Sequence, residues 1–177
     1  MSVPDADAPV ETMWEGRFIV TKKRGRWEYV ARANGIRAAV ILAVDAGDVI
    51  LVEQYRVPLG RRCLELPAGL IGDEGDANEV AETAAARELE EETGYRAARI
   101  ETVGEFFSSP GMVSESFTLV KATGLARVGE GGGAGDEDIT VHRVPLGKVP
   151  DFVATKRAEG IAVDVKLLML LAGTVLG

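Results

Sequence analysis

Cysteine and histidine each occur once in this chain of 177 residues, and positive charge is in deficit, with 20 Lys and Arg against 28 Asp and Glu. Cys63 alone cannot close an internal disulfide. The net charge of −8 and isoelectric point near 4.8 give a field that repels nucleic-acid backbones and anionic lipid surfaces, which argues against both as partners. A long apolar run is missing as well. The strongest such stretch, residues 167–173, falls far short of the roughly 20 residues that span a bilayer. The opening MSVPDADAPVET has neither the basic nor the apolar region of a signal peptide, so the expected location is cytoplasmic. What is present is ordinary globular composition, 46% hydrophobic and 27% charged, at a length where about 70% of the unfolded surface can be buried. One domain with its own core is expected.

Residues 1–13, rich in Asp, Ala and Pro, read as a disordered leader. Residues 14–34 hold two β-favouring runs, Arg17 to Lys23 and Trp27 to Ala33, around Arg24-Gly25-Arg26, the pattern of a hairpin. Residues 35–177 read as the main domain. Within it, RAAVILAV from Arg37 and VILVEQ from Val49 flank a glycine turn and predict central strands. From Glu79 to Glu92 there is neither Gly nor Pro, and Val80, Ala81, Ala84, Ala85 and Leu89 recur at helical steps, with Gly94 as the stop. Residues 100–107, 117–123 and 140–144 predict further strands, and 149–159 and 163–176 helices. Strands before, between and after one marked helix predict an α+β fold, an α/β/α sandwich around a mixed sheet, with a small N-terminal β appendage. Phe106 and Phe107 are expected in the core. The run from Gly129 to Gly135 reads as a mobile loop before the acidic triplet Asp136, Glu137 and Asp138.

The chemistry concentrates at Arg87-Glu88-Leu89-Glu90-Glu91-Glu92-Thr93-Gly94-Tyr95. On a helix Glu88 shares a face with Glu91 and Glu92, while Glu90 points elsewhere. Like charges at these spacings, in a last turn where the helix dipole disfavours negative charge, are a poor choice for stability alone. A solvated acidic face with Arg87 compensating Glu91 is the ordinary reading. A hard divalent cation, which takes oxygen ligands from carboxylates, waters and substrate phosphates, is the other.

Arg-Glu-apolar-x-Glu-Glu-x-Gly-apolar resembles the second half of the Nudix box, and residues 87–95 fit it throughout. Glu79 stands eight residues before Arg87 as the box requires, but the expected glycine six residues ahead of it is Asp73. Gly69 is then the expected counterpart, with an insertion in residues 70–78. Leu51 to Arg56, Glu65 to Gly69 and Ser109-Pro110-Gly111 resemble segments of ADP-ribose and ADP-sugar pyrophosphatases in the same family.

That resemblance implies Mg²⁺, with Mn²⁺ as an alternative, held by Glu88, Glu92, Glu91 and the Ala68 carbonyl. It implies Glu137 as the base or a loop ligand, Glu91 as a second catalytic residue that ligates the metal or stands just behind its ligands, Arg56 on the diphosphate, and Glu65 and Glu115 on polar parts of the sugar. Trp27 and Phe18 would stack on adenine, with Arg32 supplied by the partner of a homodimer that exchanges its N-terminal segment. The glycine run would serve as a lid. The implied reaction is hydrolysis of ADP-ribose or a related ADP-sugar to AMP and a sugar phosphate. Hydrolysis of another nucleoside diphosphate sugar, or a nucleotide-sensing domain without catalysis, are the alternatives. His142 and Cys63 are expected to be structural.

Overall fold

Val10, Thr12 and Trp14 in the run VETMWE are β-favouring residues, enough to make residues 10–15 a strand once a partner is present. In the computed structural model, which describes residues 3–72, 79–135 and 137–177 apart from the Asn34 side chain, β1 (Val10–Glu15) pairs antiparallel with β2 (Ile19–Arg24). The end of the segment read as a disordered leader is therefore ordered by pairing. A tight turn at Gly25 then pairs β2 with β3 (Trp27–Arg32), as the hairpin pattern predicts. This three-stranded sheet docks on its own chain: the Val30 N–H donates to the Met112 carbonyl at 3.0 Å, and the Ser114 N–H to the Val30 carbonyl at 3.0 Å.

The main sheet begins with β4 (Arg37–Asp45) and β5 (Asp48–Arg56). It continues through β6 (Arg61–Glu65), β7 (Ala68–Ile71), α1 (Ala81–Thr93), β8 (Tyr95–Phe107) and β9 (Ser116–Arg127). The chain ends in β10 (Thr140–Pro145), α2 (Val149–Ala158), β11 (Ala162–Val163) and α3 (Leu168–Val175). The strand order is β11-β6-β5-β4-β9-β8, with β10 on β5 and β7 on β4. The β4–β9 and β11–β6 pairs are parallel and the others antiparallel, so the sheet is mixed.

β4 explains the sandwich. Successive strand residues face opposite sides, and here both sides are apolar. Ala39, Ile41 and Ala43 pack in one cluster with Ala81, Ala84, Ala85 and Leu89 of α1. Val40 packs in the other with Val149 and Val153 of α2 and Leu171 of α3. The alanines on both α1 and β4 let the helix lie close to the sheet, which fixes the height of its last turn. Phe106 and Phe107 depart from expectation: they remain 43% and 57% exposed, because β8 is the edge strand of the order above and much of its length is uncovered. No helix among the described residues is long and apolar enough to cross a membrane.

Candidate active site

Four residues along one helix face bring Glu88 and Glu92 over the β7 end of the sheet. Glu92 is 5% exposed, and its Oε2 accepts the Ala68 N–H at 3.0 Å. Burial, reinforced by the Glu88 and Glu137 charges and opposed by that N–H and by the Arg56 guanidinium, pushes its carboxyl up to about 8. Glu88 lies across Gly69 so closely that a Cβ there would meet its Cδ at 1.9 Å. Only glycine leaves that space open.

Arg87 ties the rest of the acidic segment together. Its Nη1 donates to Glu88 Oε1 at 2.8 Å and to Glu91 Oε2 at 3.4 Å, and its Nη2 to the Leu70 carbonyl at 3.2 Å. Glu91 therefore sits beside Arg87 at the flank, while Glu90 turns away to Arg96, as the helix phase predicts. Glu79 accepts the Gly72 N–H at 2.7 Å, so the described glycine that meets it is Gly72 rather than Gly69. Asp73 and most of the proposed insertion lie outside the described residues, as does Asp136.

The carboxylates border a cleft of about 350 Å³ whose other walls include Arg32, Gln54, Arg56 and Glu137. Arg56 is held by a two-point fork, Nε to Glu65 Oε1 at 2.6 Å and Nη2 to Oε2 at 2.7 Å. Glu65, 5% exposed, thus stands behind the guanidinium and does not line the cleft; its place is to orient Arg56. Gln54 was not anticipated, although it lies two residues before Arg56 on the same strand face, a signal the period of two contains.

Arg32 reaches the cleft from its own chain, paired with Glu115. The resemblance implies the partner's Arg32 here; within one chain, β3 runs directly into the main domain and places its own Arg32 on the cleft. Trp27 and Phe18 are not brought to the cleft; they stand 58% and 64% exposed on the N-terminal sheet. His142 packs edge-on against Phe152, and Cys63 is buried, its thiol pushed up to about 12 mainly by burial. Both fit structural roles.

The glycine run behaves differently from a free lid. The Gly132 N–H donates to the Glu92 carbonyl at 2.9 Å and the Gly133 N–H to the Glu91 carbonyl at 3.1 Å. Left-handed φ values of 71°, 110° and 88° at Gly131, Gly132 and Gly133 let consecutive N–H groups turn toward the free carbonyls at the end of α1. The loop is pinned to the acidic helix, and Glu137 Oε2 accepts the Ala134 N–H at 3.0 Å. Composition suggested mobility because it does not reveal what the glycine N–H groups bind.

Among the described residues no three His, Cys, Asp or Glu side chains converge tightly enough to hold a metal alone. The donor set nonetheless suits a hard cation that keeps waters and shares substrate oxygens. Glu88, Glu92 and Glu137 offer carboxylate oxygens to one cleft.

Residues 34–162 match the NUDIX domain profile. The chain is 43% identical over 77 residues to the ADP-ribose pyrophosphatase of Bacillus subtilis strain 168, covering 44% of this chain and 40% of that protein. It is 35% identical over 158 residues to the GDP-mannose pyrophosphatase of Cronobacter sakazakii, covering 84% and 76%. A crystal structure of an ADP compounds hydrolase superposes with a TM-score of 0.70 at 24% identity, over 96% of this chain and 92% of that one, a likeness of fold. The chain spans about half the length of several curated relatives it matches, 56%, 51% and 49% of three of them.

Proposed function

The chain belongs to the NUDIX domain family, and from that premise we propose that it hydrolyses the diphosphate bond of ADP-ribose or a related ADP-sugar, releasing AMP and a sugar phosphate. The observation that carries this reading is the meeting of Glu88, Glu92, Glu137 and Arg56 on one cleft. Several relatives named ADP-ribose pyrophosphatase support the substrate class. The reaction adds one water across a P–O–P bridge: an O–P bond forms, the bridging bond breaks, and the water's protons leave to solvent or to the departing phosphate.

Glu88 and Glu92, with Glu91 and the Ala68 carbonyl, would hold Mg²⁺ or Mn²⁺. When bound, the cation supplies charge neutralisation for the phosphates and acidifies water at neutral pH. Arg56, oriented by Glu65, presents its guanidinium to a non-bridging phosphate oxygen. Glu137 holds the attacking water or takes its proton. Arg32, with Glu115, stands where the nucleotide or sugar would extend. An acidic protein can in this way accept an anionic substrate.

A second reading has direct support in the GDP-mannose pyrophosphatase relative, since carboxylates on a diphosphate do not select the base. Incubating the protein and Mg²⁺ with ADP-ribose, GDP-mannose and other nucleotide sugars, with products separated by chromatography, decides between them. A nucleotide-sensing role predicts binding with no turnover on any of them.

Homodimerisation belongs to the same proposal. Met13, Trp14, Phe18 and Trp27 are more than half exposed on the N-terminal sheet, a surface that a second copy would cover and from which Trp27 or Phe18 could reach the partner's adenine pocket. A cytoplasmic location is consistent with a lone, buried cysteine.

A further inference from the structure

A second group of charged side chains adjoins the loop that carries Glu137. At its centre is Glu53 of β5, 6% exposed. Its carboxylate accepts from Arg62 Nε at 2.7 Å, lies 3.0 Å from Lys156 Nζ and stands 3.1 Å from His142 Nε2. Arg62, on β6, then reaches away from this centre. Its Nη1 donates to Asp138 Oδ2 at 2.7 Å, and its Nη2 to the Glu53 carbonyl at 2.9 Å, Thr140 Oγ1 at 3.1 Å and the Asp138 carbonyl at 3.3 Å.

Asp138 directly follows Glu137, so an anchor on the Asp138 carbonyl fixes the peptide just beyond the loop carboxylate. The upstream side is fixed by Gly132 and Gly133 on the carbonyls of α1. The loop is therefore clamped at both ends, to the acidic helix before Glu137 and to β6 after it. We infer that Arg62 is a positioning residue that sets where Glu137 stands in the cleft, by bridging the buried Glu53 to the backbone and side chain of Asp138.

Charge compensation alone accounts poorly for this geometry. Glu53 already meets Lys156, and the Asp138 side chain is 83% exposed, where an ion pair contributes little to stability. The planar fork with donors on both edges is what the bridge requires, and an ammonium cannot reproduce it. The inference rests on the reading of Glu137 as the carboxylate that acts on the attacking water.

The test combines Arg62→Met, Arg62→Lys, Asp138→Ala and Glu137→Gln, with kcat and KM measured on whichever nucleotide sugar the protein cleaves and folding checked by melting. Arg62→Met should lower kcat about ten- to a hundredfold, as displacement of a reacting group does, with KM nearly unchanged. Arg62→Lys should recover only part of this. In a Glu137→Gln background Arg62→Met should cause no further loss, since both changes act through one group. In metal-free protein, amide exchange at residues 134–139 should quicken in Arg62→Met while α1 is unaffected. A crippling Glu137→Gln combined with an Arg62→Met loss of equal size in both backgrounds overturns the inference alone. A near-normal Glu137→Gln removes the reading of Glu137 and the inference with it. If Arg62→Met does not fold, the exposed Asp138→Ala decides: wild-type kcat in that variant also overturns the proposal.

Discussion

Gly69 and Glu88 occupy nearly the same space: a Cβ on Gly69 would lie 1.9 Å from Cδ and 2.2 Å from Oε1 of Glu88. The side chain thus crosses the backbone at the one residue that has no side chain, and the carboxylate reaches the cleft over it. Gly69→Ala should expel Glu88 from this position. We expect a loss of turnover comparable to Glu88→Gln and weaker Mg²⁺ binding by calorimetry, with a cooperative melt retained. Normal activity in Gly69→Ala would show that the placement of Glu88 is not required.

Burial raises the Glu92 carboxyl to about 8, which has a definite sign for stability. A carboxyl whose folded value lies above its unfolded value binds the proton more tightly when folded, so its contribution is full below the ordinary Glu range near 4.5 and is lost as pH rises through about 8. Metal-free protein should therefore lose melting temperature across that window. Glu92→Gln should flatten the dependence, equal or exceed wild-type stability without metal at pH 8 to 9, and abolish most turnover. Melting curves in a chelator from pH 5 to 9 check this, and a wild-type profile that rises over the window would contradict it.

Glu137→Gln should reduce kcat by a factor on the order of 10² to 10⁴, the usual loss with a general base, and change KM little. Glu130, whose side chain is 99% exposed, should tolerate Gln. Steady-state kinetics on both variants locate the working loop carboxylate, and a crippled Glu130→Gln beside a mild Glu137→Gln would move it.

Assembly is tested by sedimentation velocity. A homodimer is expected, and Trp27→Ala should raise KM for the ADP-sugar with kcat nearly unchanged. A fully active monomer at working concentration would rule out a site completed by the second subunit, while leaving Arg32 where its own chain puts it.

The parts of this molecule governed by short-range periodicity were readable from the sequence. Ala39, Val40 and Ile41 alternate between two buried faces and announce a central strand; Ala81, Ala84, Ala85 and Leu89 announce the helix that presents Glu88 and Glu92. The strands β6, β7 and β11 were not foreseen, because residues 61–65 begin with two arginines, residues 68–71 begin with Ala-Gly, and β11 has only two residues. They become strands through the neighbours they pair with. The pinned glycine loop and the Arg62 bridge escaped for another reason. Their hydrogen bonds join residues about 40 and 76 positions apart, and nothing local in Gly132, Gly133 or Arg62 names the partner.

We propose that this acidic cleft cleaves a nucleoside diphosphate sugar with the help of a divalent cation. The most direct test is incubation of purified protein with ADP-ribose and Mg²⁺ in ¹⁸O-water, followed by mass analysis of the products. The expected result is AMP and ribose phosphate, ¹⁸O in one of them, and loss of both products with chelator or with Glu92→Gln. Intact ADP-ribose and intact sugar nucleotides of every other base, in the presence of Mg²⁺ or Mn²⁺ and folded protein, would contradict it.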